Sequence, residues 1–180
     1  MLAYVARQPI LNLEEKTVGY ELLFRDSYEN SFPDIDPDEA TSKIITQNHL
    51  TLGLEQICQN KQVFINFHQD SLLHHFPTSL DTNNTVIEIL ESINLSDDLV
   101  SACIQLEKQG YTLALDDHNF APEWRVLYPH IGIIKVDITS FDQLDLELFA
   151  EYIKEEYPHI TLLAERVETE QEFQQAKEAG

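Results

Sequence analysis

Residues 112–138 read TLALDDHNFAPEWRVLYPHIGIIKVDI, and two short apolar runs in this stretch each end on charged groups. Leu113, Ala114 and Leu115 run directly into Asp116 and Asp117, and Ile131, Ile133 and Ile134 run into Lys135, Val136 and Asp137. Runs of this length, rich in branched apolar residues and bounded by polar ones, predict strands over 112–117 and 131–138. A charge inside an apolar strand is costly unless it is paired or metal-bound. These strands are therefore expected to deliver chemistry at their C-terminal ends.

The same pattern recurs on either side. The segments 62–67 (QVFINF) and 85–91 (TVIEILE) read as strands carrying Asn66 and Glu88 with Glu91, and 160–167 (ITLLAERV) reads as a strand carrying Glu165, with Glu168 just beyond. Towards the N-terminus, 3–11 and 17–25 read as two strands around a turn at Glu14, Glu15 and Lys16, with Glu21 in the second. Helices are expected between the strands. One starts at Asp36 with Pro37 behind it and carries Ile44, Ile45, Leu52 and Leu54, with Gly53 near its end. A brief one covers 68–76. One opens at Ser96 and closes at Gly110, and one is capped by Ser140 and carries Leu144, Leu148 and Tyr152. The last starts with a Thr169–Glu172 capping box. Repeated αβ units with largely apolar strands predict an α/β fold with a parallel sheet covered by helices. A doubly wound sheet and a (β/α) barrel both satisfy this order.

Composition narrows the function. The chain has 180 residues, with 11 Lys plus Arg against 32 Asp plus Glu, a formal net charge of −21. Such a surface repels phosphate backbones and anionic membrane faces, so neither nucleic acid nor membrane is an expected partner. No membrane span or signal peptide is legible, and a cytoplasmic location is expected. Cys58 and Cys103 stand far apart in apolar patterns, which excludes a disulfide scaffold and a CxxC zinc site. With 5 Gly in all, neither GxGxxG nor a phosphate-binding loop is present.

In a parallel barrel all strand ends meet on one face. Folding would then gather Glu21, Asn66, Glu88, Asp116, Asp117, Lys135 and Glu165. The donors are all oxygen, which suits Mg²⁺, Mn²⁺ or Ca²⁺ rather than zinc. Such a site matches two-metal phosphodiester hydrolysis. Any one strand carboxylate is more often an edge residue or a salt-bridge partner; it is the recurrence at equivalent ends that favours a site. The His74–His75 pair reads as surface, and Tyr20, Phe24, Phe64 and Phe67 as core or site wall.

These residues resemble a known family. RQPIL at 7–11 with VGYELLFR at 18–25, INFHQDSL at 65–72, VIEILES at 86–92, LALDDHNF at 113–120, IIKVDI at 133–138 and LLAERVETEQEF at 162–173 match, in order, the motifs of the EAL domain, the cyclic-di-GMP phosphodiesterase family. The stretch 116–138 is most similar to the subgroup in which an EAL domain precedes an HDOD domain. The resemblance implies a (β/α) barrel over residues 1–180, with its first strands antiparallel and its last strand and helix missing. It implies that Glu21, Asn66, Glu88 and Asp116 bind a first Mg²⁺ or Mn²⁺ and that Asp117 contributes to a second. Lys135 and Glu165 are implied to position or activate water, Glu91 to support the loop after Asp117, and Gln8 and Arg25 to face the nucleotide. The implied partners are cyclic-di-GMP and either an HDOD domain or a second copy of the chain.

Three departures bear on activity. The signature reads Glu21-Leu22-Leu23, with Leu in place of Ala. The loop after the Asp pair, His118-Asn119-Phe120-Ala121-Pro122, has no Gly where relatives have two, and so takes a different backbone path. Arg166 stands where relatives carry Gly. Two readings follow: a metal-dependent phosphodiesterase in the full-length protein, or a degenerate domain that binds cyclic-di-GMP or proteins without hydrolysis.

Overall fold

The computed structural model describes residues 4–25, 58–59, 61–74 and 76–179. The helix expected from Asp36 and the acidic segment before it lie outside the described residues, as does His75. Strands β1 (Tyr4–Leu11) and β2 (Thr17–Arg25) form an antiparallel hairpin. Its turn is set by Asn12, whose Oδ1 accepts from the backbone N–H groups of Glu14 (3.1 Å) and Lys16 (2.9 Å). This side-chain mimicry of a backbone turn is what Asn does well.

Strands β3 (Gln62–Phe67), β4 (Thr85–Ile89), β5 (Thr112–Leu115), β6 (Ile133–Asp137) and β7 (Thr161–Glu165) follow, each parallel to the one before. Helices α1 (Gln69–Leu73), α2 (Asp97–Lys108), α3 (Gln143–Glu156) and α4 (Glu170–Ala179) lie between or after them. The strand order in the sheet is the order in the chain, β1 to β7, with no reversal. A doubly wound sheet reverses at a switch point, so the architecture is the barrel type: a mixed, curled sheet, incomplete, with β1 and β7 as its edges.

Alternation along the strands divides the core. One face packs Leu22, Ile65, Phe67, Ile87, Ile89, Leu113, Leu115 and Ile134 against helix residues such as Leu99, Cys103, Leu106 and Ile153. The other face gathers Phe64, Val86, Ala114 and Ile133, with Ile10 and Leu163 packed against them. Full burial of each large aliphatic side chain contributes about 1.5–3 kcal/mol. The second cluster is the floor of the site. Each of Asn66, Glu88, Asp116, Lys135 and Glu165 stands two residues after one of its members, on the same face. Glu21 follows Gly19 in the same way. A Cβ at Gly19 would meet Phe64 Cε2 at 3.0 Å, so glycine there lets the Phe64 ring fill the floor.

Most helix boundaries follow their expected caps. Ser96 Oγ accepts from Leu99 N (3.2 Å), Gly110 follows α2 at φ +98°, and the Thr169–Glu172 box closes in both directions. Four expectations need correction. β4 and β5 end earlier than expected, at Ile89 and Leu115, so Glu91, Asp116 and Asp117 lie just past the strands. The expected 68–76 helix is the single turn α1, followed by a 3₁₀ turn over Phe76–Ser79. The cap of α3 is Asp142, which accepts from Asp145 N (2.9 Å); Ser140 is drawn into a 3₁₀ turn and donates to Asp137. Finally, α3 buries Leu146, Phe149, Ala150 and Ile153, leaving Leu144 and Leu148 exposed.

Candidate functional site

The floor residues lift six polar side chains to one point. Asn66 and Glu88 are register partners on β3 and β4. Asp116 is tied to the end of β4, because its backbone N–H donates to Ile89 O (3.0 Å). Asp137 and Glu165 are register partners at the ends of β6 and β7.

Lys135 is the hub. Its Nζ lies 2.5 Å from Asp116 Oδ1, 2.7 Å from Glu88 Oε1, 2.9 Å from Glu165 Oε1 and 3.4 Å from Glu21 Oε2. Asn66 Nδ2 donates to Glu21 Oε1 (3.2 Å). The structure thus brings together Glu21, Asn66, Glu88, Asp116, Lys135 and Glu165. Asp117 stands beside this group, outside the ion pairs of Lys135. Gln8 is exposed and lies across the hairpin from Glu21. Glu91 is exposed and lines a crevice with Asp116, His118, Asn119 and Trp124. Arg25 closes β2, and its side chain lies outside the described residues.

Lys135 is 1% exposed and Glu88 0%. Burial alone would pull the lysine pKa down, but Glu88, Asp116, Glu21 and Glu165 together hold it well above its ordinary value, so the ammonium stays charged. Burial pushes the Glu88 carboxyl well up, with Lys135 opposing. Burial also raises Glu165, to about 7. One ammonium faces four carboxylates, and two buried oxygens, Glu88 Oε2 and Glu165 Oε2, have no hydrogen-bond partner. Buried carboxylate oxygens left unsatisfied are costly, and hard divalent cations are their natural complement. Among the described residues no three Asp, Glu, His or Cys side chains are already spaced around a metal position.

The loop after Asp116 is fixed rather than loose. His118 N donates to Lys135 O (2.9 Å), and His118 Nε2 shares a 2.7 Å buried hydrogen bond with Tyr128 Oη. Phe120 stacks between Phe141 and Phe149, with ring centroids 4.1 and 3.9 Å away. Asn119 Oδ1 accepts from Ala121 N (3.1 Å), and Pro122 starts a 3₁₀ turn. Burial lowers the His118 pKa to about 4, so its ring is neutral near pH 7. At the end of β6, Asp137 accepts from Thr139 N (2.8 Å), Thr139 Oγ1 (2.7 Å) and Ser140 Oγ (2.8 Å) and pairs with Arg166 Nη1 (3.2 Å). Spacing alone assigns no role to His118, Tyr128 or the Asp137–Arg166 pair. A histidine placed between an Asp pair and an aromatic-rich loop is the one local signal for the first two.

Comparison with known proteins bears on this geometry. Cyclic di-GMP phosphodiesterase CdgJ of Vibrio cholerae is 43% identical over 181 residues, covering 98% of this chain and 41% of that protein. Solved structures align as well. The Bacillus subtilis YkuI protein, with an EAL domain, in complex with substrate c-di-GMP and calcium, superposes over 99% of this chain and 52% of that one, with TM-score 0.73 and 18% identity. The chain has the fold of the EAL domain structures. No family model matches it. The chain is also similar to an uncharacterized protein, YuxH of Bacillus subtilis, at 37% identity over 187 residues, covering 100% of this chain and 45% of that one. The chain spans under half the length of these two curated relatives. Among the described residues no helix is long and apolar enough to cross a membrane.

Proposed function

We propose that this EAL domain, in its whole protein, hydrolyses one phosphodiester bond of cyclic-di-GMP to linear pGpG, with Mg²⁺ or Mn²⁺ as cofactor, in the cytoplasm. The observation that carries the reading is the convergence of Glu21, Glu88, Asp116 and Glu165 on one buried ammonium over an apolar floor. The name of the Vibrio relative and the ligands of the Bacillus structure point the same way.

Glu21, Asn66, Glu88 and Asp116 would hold the cation; their donor atoms are all oxygen, and Glu88 Oε2 is buried without a partner. Bound there, a divalent cation supplies Lewis-acid charge for the phosphoryl oxygens and acidifies water. The chain's own groups do the rest. Glu165, raised to about 7, accepts the proton of the attacking water. The water oxygen bonds to phosphorus, the P–O3′ bond breaks, and O3′ leaves with the electron pair and takes a proton from solvent. Lys135 keeps its charge throughout and orients the water against the phosphate. Gln8 and Arg25 face the nucleotide, Glu91 supports the loop after Asp117, and Asp117 stands by for a second ion. The remaining partner in this reading is an HDOD domain of the same protein or a second copy along β7, where Thr161 and Ala164 are exposed.

The test is Mn²⁺- or Mg²⁺-dependent turnover of cyclic-di-GMP by the full-length protein, with Glu21→Ala as control. Absence of turnover at micromolar enzyme defeats hydrolysis. A second reading, binding without hydrolysis, is favoured by the loop pinned through His118 and Phe120. Calorimetry that registers cyclic-di-GMP binding in a protein without turnover selects it.

A further inference from the structure

We propose that the buried His118–Tyr128 hydrogen bond is a positioning device for the acidic mouth: it holds the Asp116–Asp117 turn against Lys135, so that cation affinity, and not fold stability alone, depends on it. The inference rests on the metal-dependent reading above. It begins with the backbone of three consecutive residues. Asp116 N donates to Ile89 O at the end of β4 (3.0 Å), and His118 N donates to Lys135 O on β6 (2.9 Å). The turn is thus stitched to both neighbours of β5. Lys135 takes part twice, giving its carbonyl to the turn and its ammonium to the carboxylates. Asp117, between the two stitches, has φ +41°, and Phe120, two residues past the second, has φ +62°. Non-glycine residues keep a left-handed backbone only where their surroundings over-determine it.

His118 supplies that constraint. Its side chain is buried, with ring centroids of Phe120 and Phe149 at 6.1 and 5.8 Å. Its Nε2 shares the 2.7 Å bond with Tyr128 Oη, which is buried too. Tyr128 is itself held: its carbonyl accepts from His159 Nε2 (3.0 Å), and its ring meets Tyr157 edge-on at 5.1 Å. Two apolar rings would fill this aromatic pocket with no polar atom to satisfy. Replacing both partners of a buried hydrogen bond by apolar groups of the same shape is nearly neutral for stability. What the polar pair adds is direction, because a hydrogen bond prefers near-linear geometry while apolar burial is non-directional. His118 acts through the main chain it shares with Asp116 and Asp117, and is therefore a positioning residue.

The test titrates Mn²⁺ alone into the full-length protein by calorimetry and follows denaturant unfolding of the same variants without metal. Tyr128→Phe is expected to weaken Mn²⁺ affinity by about 10–100-fold, the usual effect of losing a group that orients metal ligands. The double variant His118→Phe, Tyr128→Phe strands no polar atom. It should unfold at a higher midpoint than the summed single losses give, yet stay as weak for Mn²⁺ as Tyr128→Phe. A merely structural bond would not give that split between a rescued fold and an unrescued affinity. His118→Gln, which keeps a polar group for Tyr128, should bind Mn²⁺ more tightly than His118→Phe. Wild-type Mn²⁺ affinity in the double variant overturns the positioning role and leaves the metal-dependent reading intact. Affinity that tracks the unfolding midpoint across all the variants reduces the pair to a structural contact and also overturns it. No Mn²⁺ binding by the wild type defeats the metal-dependent reading and this inference with it.

Discussion

Lys135 Nζ stands 2.7 Å from Glu88 Oε1, with both side chains sealed from solvent. The pair is the deepest point of the acidic mouth, and its burial explains the electrostatics around it. Taking both ions out of water is expensive, and their attraction offsets this only while both partners are present. The remaining carboxylates then share one ammonium, a balance that leaves negative charge to be met from outside.

Replacing Lys135 with Met removes the hub and leaves its carboxylates facing one another. Truncating one partner of a buried pair costs about 3–5 kcal/mol. The expected outcome is a loss of that order in urea unfolding of the metal-free protein, larger at pH 8 than at pH 5, where protonated carboxyls no longer repel. In the wild type, Mn²⁺ at 100 times its dissociation constant should add about 2.7 kcal/mol, removed again by chelator. An unfolding midpoint unmoved by Lys135→Met would contradict the hub.

In the proposed hydrolysis, Glu165 should set the pH dependence of turnover. Burial raises its carboxyl to about 7, so the basic form grows as pH rises through neutrality. In the free enzyme kcat/KM should climb with pH and level off above that value. Glu165→Gln should flatten this limb and lower the rate by about 10²–10⁴-fold, while leaving Mn²⁺ binding in place. A limb that persists in the variant assigns the titration to another group.

Much of this site was legible in the sequence because strand periodicity fixes which side chains share a face. The spacing of Phe64 to Asn66, Val86 to Glu88 and Ile133 to Lys135 is a period of two, and the sheet converts it directly into a floor and a polar layer. Other features depend on contacts that spacing does not encode. Helix α3 carries two apolar stripes, Leu144–Leu148–Tyr152 and Leu146–Phe149–Ala150–Ile153, and the aromatic stack on Phe120 selects the second. Ser140 lost the cap of α3 because Asp137, fixed at the end of β6, took its hydroxyl. The left-handed turn at Asp117 ends β5 early, and an Asp pair alone does not announce it.

Asp137 ties the β6 end to Arg166. Burial pushes its carboxyl up, but the hydrogen bonds from Thr139 and Ser140, with the Arg166 charge, hold it below the ordinary carboxylate range. A depressed carboxylate contributes stability that is complete above its unfolded value, about 3.9, and is lost as pH falls through its folded value. Asp137→Asn should therefore cost about 1–2 kcal/mol at pH 7 and shed part of the acid-induced loss below pH ~4. Thermal unfolding of both proteins between pH 3 and 7 measures this; parallel curves would refute it.

His118 and Tyr128 make the last prediction, through their 2.7 Å hydrogen bond beneath the loop that carries Asp117. Tyr128→Phe strands a buried ring nitrogen and should cost about 1–3 kcal/mol. Pairing it with His118→Phe removes both polar partners, so the double variant should be less destabilised than the two single losses added together. The His118 pKa, lowered from 6.5 to about 4 by burial, gives a second handle. A histidine held neutral in the fold contributes stability that is complete above its unfolded pKa and drains away as pH falls from 6.5 towards 4. Variants at His118 should lose that slope while Tyr128→Phe retains it. Denaturant titrations at pH 7, 5.5 and 4.5 separate the two, and strict additivity of the pair would show that the hydrogen bond contributes nothing to holding the loop.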